Sequence, residues 1–270
     1  MNQFKHIITS GCSFSDPRSG FTWPLHLKDT FSNCTANNVG LTSQGNGIIA
    51  RKAIHAVHSA LSSGIDAKDI LVGIMWSGPD RHDTFFEHLP NQLDEKTKLT
   101  DFMIENPTSF VEGASGGWLI MNSHWKERIA KIYYSYLHDT LNHRINTYEK
   151  ILWTQLYLKS HNIKYFMTAY TDEVFERYND DPNVVWMKEQ IDWSNWLPIK
   201  SMHNWCYKYW TDDDFPTLEF QNPETGKVYS FKDNHPNRDM HIRFTKEVIL
   251  EHIKEKFSNY ECPEFREHQP

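Results

Sequence analysis

The chain has 270 residues, of which 39% are hydrophobic and 14% are Phe, Trp or Tyr, which is enough to build one large domain with its own core. Its formal net charge of −7 and the lack of a long basic run argue against binding to a nucleic-acid backbone. The N-terminal apolar stretch is too short for a signal peptide, and no window approaches the roughly 18 consecutive apolar residues of a membrane span. We therefore expect a cytoplasmic protein without membrane spans.

The four cysteines are widely spaced and form no CxxC pair, which predicts reduced thiols rather than a disulfide framework or a zinc knuckle. The 15 histidines include pairs such as His235 and His241, but these pairs lack a neighbouring acidic cluster of the metal-site type. We expect neither a metal nor another cofactor.

The first predicted strand is "FKHIITSG", residues 4–11, a β-branched apolar run that ends at a glycine. A helix is predicted over "GNGIIARKAIHAVHSALSSG", because apolar residues recur there at helical spacing as far as Gly64. The second strand, "DILVGIMWSG" at 69–78, is an unbroken apolar run, which is typical of a strand covered on both faces.

Residues from about 79 to 123 are polar with local apolar patches and are predicted to form an insertion. Helical periodicity then runs from Ile129 to Leu158 and fits one long helix or two in succession, and "IKYFMTAY" at 163–170 is a third strand. A second, aromatic-rich insertion is predicted at about 173–229, and a last helix follows "DNHP".

The alternation of strands and helices predicts a single α/β domain over residues 1–270. We expect a three-layer, doubly wound parallel sheet of the flavodoxin-like type, with helices on both faces and the two aromatic-rich insertions. The functional crevice of such a sheet lies at the carboxyl ends of its strands. Ser13 follows the first predicted strand, residues 76–80 end the second and residues 170–172 end the third, so we expect them to share one rim.

Ser13 lies in "TSGCSFSD", directly after the first predicted strand. A serine at such a junction is most often a helix N-cap, and it becomes a candidate nucleophile only if a base and an acid lie nearby. "DNHPN" offers both, because residues two apart in an extended segment project to the same side and Pro236 favours that backbone at His235. Asp233 would then orient the His235 ring, which takes the serine proton. A turn in which Asp233 caps the last helix and His235 only packs is the open alternative.

An oxyanion also needs hydrogen-bond donors, and three places in the sequence offer them. The first is the amide of Ser13 itself, at a helix start. The second is "SQGNG", whose backbone amides can come close to a substrate and whose Asn46 side chain is an added donor, and the third is "WSGPDR", with the Ser77 hydroxyl or the Gly78 amide. Ordinary loop glycines remain an alternative for the last two segments.

The order and spacing of "GCSFS", "NVGLTSQGN", "MWSGPDR" and "DNHPN" resemble the four blocks of the SGNH, or GDSL-like, hydrolase superfamily. The "GCSF" start and the DxHP block are similar to those of uncharacterised bacterial and phage members. The resemblance implies a serine esterase in which Ser13 is the nucleophile, His235 the base and Asp233 the acid. It also implies that the amides of Ser13 and Gly45 form part of an oxyanion hole.

The sequence departs from the family pattern in two blocks. The third block of the family usually contains an asparagine in GxND that completes the oxyanion hole, whereas this chain has "WSGPDR" and offers Ser77 instead. The last block is usually D-x-x-H but is D-x-H here, so a backbone carbonyl is an alternative support for the His235 ring. In the second block, Gly40 or Ser43 is an alternative match to Gly45.

The expected activity is two-step hydrolysis of a carboxylic ester, with an O-acetyl group on a carbohydrate as the favoured substrate. The expected partner is a small-molecule or glycan ester, with no nucleic acid and no membrane. A sugar-stacking wall, or simple core filling, is predicted for six tryptophans: Trp76, Trp118, Trp193, Trp196, Trp205 and Trp210. Two alternative functions are a catalytically weak or inactive glycan- or partner-binding module and an O-acyltransferase that uses an acceptor other than water.

Overall fold

The structure of the protein is a computed structural model. It describes the following residues: 2–86, 104–105, 117–121, 128–175, 180–207, 209, 217–221, 228–232 and 235–269.

A five-stranded parallel sheet lies at the centre of the described chain. Its strands, numbered along the chain, are β1 (His6–Ser10), β2 (Thr35–Asn38), β3 (Ile70–Trp76), β4 (Lys164–Ala169) and β5 (Trp196–Ser201). They are ordered β2-β1-β3-β4-β5, and every neighbouring pair is parallel. All of β3 is buried, as expected for an apolar run in the middle of a parallel sheet. The predicted α/β class with a parallel sheet is confirmed.

The described α-helices are α1 (Trp23–Thr30), α2 (Asn46–Ser62), α3 (Arg128–Ile132), α4 (Thr140–Ser160), α5 (Pro182–Glu189), α6 (Met202–Tyr207), α7 (Arg238–Phe244) and α8 (Leu250–Lys256). Wider π-helical turns follow α3 at Tyr133–Leu137 and join α7 to α8 at Thr245–Ile249. Short 3-10 helices lie at Ser13–Ser15, Pro17–Ser19, Ala67–Asp69, Asp172–Val174 and Trp193–Asn195.

Two hydrophobic clusters contact alternate residues of the central strands. Ile8 and Ile74 pack with residues of α2, α4 and α5, whereas Ile7 and Met75 pack with residues of α1, α7 and α8. Successive side chains of a strand point to opposite faces of a sheet. Alternate apolar side chains of β1 and β3 therefore pack into two separate parts of the core, one on each face of the sheet.

Both predicted insertions contain regular structure. In the first, His82–Phe86, Ile104–Glu105 and Gly117–Met121 form an antiparallel sheet. In the second, Thr217–Gln221 pairs with Val228–Lys232, and β5 belongs to the central sheet. The sequence of β5, "WLPIKS", does not predict a strand, because a proline inside a short run argues against a strand except at a sheet edge.

β2 and α1 are not predicted from the sequence. β2 is "TANN", whose residues are exposed or half-buried, so no apolar pattern marks it.

Among the described residues, no helix combines the length and apolar composition that a membrane crossing requires.

Candidate active site

Ser13 lies in a tight turn after β1. Gly11 makes this turn possible, because a Cβ there would collide with the Ser15 side chain and lie 3.0 Å from the Met75 carbonyl oxygen. Ser13 then begins a 3-10 helix, so its N–H group has no partner within that helix. Its exposed fraction is 9%. The turn therefore holds the serine just below the surface with its amide at a helix start.

The Oγ atom of Ser13 lies 2.6 Å from the Nε2 atom of His235, although the two residues are 222 positions apart. His235 stands before Pro236 and the first turn of α7, which begins where the Asn237 side chain accepts a hydrogen bond from the Met240 amide at 3.0 Å. When the proton of the imidazole is on Nδ1, Nε2 accepts the hydrogen bond from the serine hydroxyl. This is the spacing that a nucleophile and its general base require.

The predicted acid, Asp233, lies outside the described residues, as does Asn234. Within the described part of the chain, the His235 ring packs 5.0 Å from the Phe14 ring, between centroids. Phe14 is itself 3% exposed. A buried aromatic neighbour of this kind limits the orientations that the imidazole can adopt.

A buried carboxylate ties the Ser13 turn to the loop before α2. Asp16 is 1% exposed, and it accepts hydrogen bonds from the amide and the hydroxyl of Thr42 at 2.8 and 2.7 Å and from Arg18 at 2.6 Å. Burial would raise the pKa of Asp16, but these hydrogen bonds outweigh it and lower the pKa to about 2. The carboxylate therefore stays charged at neutral pH and keeps the two loops together.

The predicted oxyanion donor Asn46 is engaged in a different contact. Its Nδ2 atom donates to the Ser77 carbonyl at 3.0 Å and to the Thr147 hydroxyl at 3.1 Å, and its Oδ1 atom accepts from the Ser77 amide at 2.8 Å. The Ser77 hydroxyl is fully buried and has no hydrogen-bond partner among the described residues. Asn46 thus fastens the turn after β3 to the start of α2, and both residues are buried.

Gly45 and Gly47, at the start of α2, pack against the carboxylate of Asp83. A Cβ on Gly45 would overlap the Asp83 Oδ1 atom, and one on Gly47 would lie 2.5 Å from Oδ2. The Ile48 amide donates to Oδ2 at 2.8 Å. Burial raises the pKa of Asp83 to about 6, against the opposing effect of these amides. The predicted oxyanion amide of Gly45 therefore lies beside an internal carboxylate.

The alternative second-block residues have other surroundings. A Cβ on Gly40 would lie 2.9 Å from the Ser15 carbonyl oxygen, and the Gly40 amide donates to the Asn38 side chain at 2.9 Å. Ser43 has a positive φ of 70°, which is uncommon for a residue with a side chain. Gly40 is therefore occupied in packing the loop against the Ser13 turn.

The segments after β1, β3 and β4 meet at one rim. The ring centroids of Phe14 and Tyr170 are 5.1 Å apart, and the Arg81 guanidinium carbon lies 5.4 Å from the centroid of the Tyr170 ring. A Cβ on Gly78 would lie 3.0 Å from the Tyr170 hydroxyl. Burial raises the pKa of the Tyr170 phenol, so the group stays protonated and is able to donate a hydrogen bond.

His203 is a second histidine at this rim, with its ring 6.4 Å from that of Phe14. Burial lowers its pKa, and the nearby His235 lowers it further. No role is predicted from the sequence for Tyr170, Arg81 or His203. The position of Tyr170 at the end of the third predicted strand and that of Arg81 in "WSGPDR" pointed to the rim, whereas no sequence signal marked His203.

The tryptophans divide between the core and the surface. Trp76, Trp196 and Trp205 are buried in the two clusters, whereas Trp193 is exposed. Trp210 and the side chain of Trp118 lie outside the described residues. Core filling thus accounts for three of the predicted stacking residues.

No known family model matches the chain, and no curated protein matches it at a significant level. In the part of the chain that the structure describes, no group of three or more His, Cys, Asp or Glu side chains is arranged to hold a metal ion.

Proposed function

We propose that the protein is a serine esterase of the SGNH type that hydrolyses a carboxylic ester, with an O-acetyl group on a carbohydrate as the favoured substrate. The observation that carries the proposal is the 2.6 Å contact between Ser13 Oγ and His235 Nε2. The proposal includes a doubly wound, flavodoxin-like sheet, which the strand order β2-β1-β3-β4-β5 supports. It also includes Asp233 as the residue that orients the imidazole.

The proposed reaction has two steps. His235 Nε2 takes the hydroxyl proton while Ser13 Oγ attacks the ester carbonyl carbon, and the π electron pair moves to the carbonyl oxygen. Collapse of this intermediate expels the alcohol, which receives the proton from His235. Water then attacks the acyl-serine in the same way and releases the carboxylic acid and the free serine.

The oxyanion requires hydrogen-bond donors, and the asparagine that usually supplies one from the third block is missing here. The amide of Ser13 is one, because it begins a helix and has no partner within it. We include the Tyr170 hydroxyl as the second, since Asn46 and Ser77 are held in the fold and the phenol stays protonated. A hydrogen bond from such a donor becomes stronger as negative charge develops on the carbonyl oxygen.

A fluorophosphonate probe tests the nucleophile directly. We expect one labelled serine, Ser13, identified by mass spectrometry, and we expect labelling to disappear in Ser13→Ala and His235→Ala. Ser19→Ala and His58→Ala are matched controls, because both side chains are exposed, and they should label normally. Labelling of another serine, or undiminished labelling in His235→Ala, would contradict the proposal.

A glycan-binding module is the second candidate. One observation favours it: Phe175 and the exposed Trp193 line a cavity of about 440 Å³, whose wall also includes the largely buried Trp196, and this size is within the range of ligand sites. Turnover of 4-nitrophenyl acetate separates the two candidates. Equal rates for the wild type and Ser13→Ala would favour binding alone, and loss of at least about a thousandfold in Ser13→Ala would favour the esterase. Product analysis with excess alcohol acceptor distinguishes an O-acyltransferase.

A further inference from the structure

Three residues with long cationic side chains line one cavity next to the turn after β3. The cavity has a volume of about 260 Å³ and is lined by Arg51 from α2, Arg81 from the turn after β3 and Lys150 from α4. The chain as a whole has a net charge of −7. A cavity lined by cations from three separate elements is therefore a local departure from the charge of the molecule, and it concentrates positive potential.

The remaining lining of the cavity adds little negative charge. Asp83 is its only acidic residue among those described, and that carboxylate faces the first amides of α2. Burial lowers the pKa of His82 to about 4 and also lowers the pKa of His143. Both imidazoles are therefore neutral at pH 7. The cationic side chains therefore exceed the acidic ones at neutral pH.

The cavity also offers neutral hydrogen-bond donors. Asn146 and Thr147 line it together with Lys150. An oxyanion such as a carboxylate or a sulfate is bound most strongly by guanidinium and ammonium groups that donate charge-assisted hydrogen bonds, with neutral donors completing its coordination. The lining has this composition.

Arg81 connects the cavity to the Ser13 rim. It lines the cavity, and its guanidinium carbon lies 5.4 Å from the centroid of the Tyr170 ring. That ring is 5.1 Å from Phe14, which lies 5.0 Å from the His235 ring. Arg81 is thus a lining residue of the cavity whose guanidinium also contacts a ring of the Ser13 rim.

We propose that the cavity between α2, α4 and the turn after β3 binds an acidic group of the ester substrate, a carboxylate, sulfate or phosphate. This inference rests on the proposed esterase function and narrows its substrate class to esters of acidic molecules. The acidic group lies with Arg51, Arg81 and Lys150 while the ester carbonyl lies at Ser13.

Sulfate, which keeps its charge across the working pH range, is the probe for the cavity itself. We expect sulfate to bind the wild type in a calorimetric titration and to bind Lys150→Ala and Arg81→Ala about tenfold more weakly each. Lys246→Ala, which removes an exposed lysine outside the cavity, should bind sulfate like the wild type. The Ser13→Ala protein should also bind sulfate normally.

Equal sulfate affinity in the wild type, Lys150→Ala and Arg81→Ala, or no binding to the wild type, would overturn the acidic-group site. Thermal unfolding of each variant shows whether the fold is retained, and Lys150→Gln provides a second, milder removal of charge. A weaker binding of sulfate to Lys150→Gln in a folded protein supports the site.

The kinetic arm compares two acetate esters that differ in one carboxylate on the alcohol. We expect the wild type to prefer the acidic ester in kcat/KM and Lys150→Ala to lose about tenfold of that preference. If neither ester is cleaved but sulfate binding weakens in the variants, the esterase proposal fails while the anion site stands. If both esters are cleaved with an equal rate ratio in all variants, the substrate assignment fails while the esterase proposal stands.

Discussion

Ser13 and His235 are brought together by two short turns. The first turn needs Gly11, because a side chain there would collide with Ser15. The second turn contains Pro236 and is followed by the Asn237 cap of α7. Because both backbones are determined locally, the 2.6 Å contact between the hydroxyl and the imidazole does not depend on long flexible side chains. Such preorganisation is what a general base requires.

Asp233→Asn tests the predicted support for the imidazole. A carboxylate accepts a hydrogen bond from Nδ1–H and keeps the imidazole proton on Nδ1, whereas an asparagine amide does not fix the proton there. His235 would then adopt the tautomer that cannot accept the serine proton. We expect kcat for 4-nitrophenyl acetate to fall by about 10³- to 10⁴-fold with an unchanged melting temperature. Asp239→Asn, in the first turn of α7, is the control. A loss of less than about threefold would assign the support to a backbone carbonyl instead.

Tyr170→Phe tests the second oxyanion donor. The substitution removes only the hydroxyl and keeps the ring against Phe14, so we expect kcat to fall by about 100-fold with little change in KM. Tyr136, which is 82% exposed, provides the matched control Tyr136→Phe. An unchanged kcat in a folded Tyr170→Phe protein would remove this tyrosine from the mechanism.

At the scale of elements, the buried Asn46 side chain and the half-buried Asp83 side chain hold the loops of the rim in place. Asn46 pairs with both backbone groups of Ser77, and Asp83 faces the first amides of α2. A helix start leaves several N–H groups without intrahelical partners, and a carboxylate at that end satisfies them and complements the helix dipole. The position of α2 relative to the turn after β3 therefore depends on these two residues.

The Asp83 carboxylate gives the folding equilibrium a specific pH dependence. Its pKa is raised by burial from 3.8 to about 6 in the folded protein, so the folded state binds the proton more tightly than the unfolded state. The contribution to stability is therefore fully present below pH 3.8 and is lost as the pH rises through about 6.

Asp83→Asn should remove this component. We compare the free energy of unfolding of the wild type with that of Asp83→Asn between about pH 4 and pH 7. We expect the wild type to lose stability relative to the variant steadily as the pH rises through this range. Urea titrations at several pH values measure it. A constant difference across this range would show that Asp83 titrates normally.

For the whole molecule, the parallel sheet determines where the candidate active site lies. The carboxyl ends of parallel strands meet at one edge, and the turns that carry Ser13, Gly78 and Tyr170 follow β1, β3 and β4 at that edge. The contacts between Phe14, Tyr170 and Gly78 show that the three turns meet. Ser13 and His235 are 222 positions apart in the sequence, so their contact depends on the tertiary fold and not on local structure alone.

Local patterns were sufficient to predict β1, β3 and β4, because each is a run of apolar or β-branched residues, and α2, because its apolar residues recur with helical spacing. They were not sufficient for β2, whose "TANN" carries no apolar signal, or for β5, whose proline argues against a strand. Both strands form because neighbours already in the sheet offer them hydrogen-bonding edges.

The sequence by itself determined the α/β alternation and marked Ser13 and His235 as residues of interest, since turns after strands and the residue before a proline follow local backbone rules. The tertiary structure alone decided that the serine and the imidazole touch, that Asn46 holds Ser77 rather than a substrate, and that Asp83 reaches the start of α2. Side-chain partners separated by dozens of residues are chosen by the three-dimensional packing of the whole sheet, and no local pattern encodes that choice.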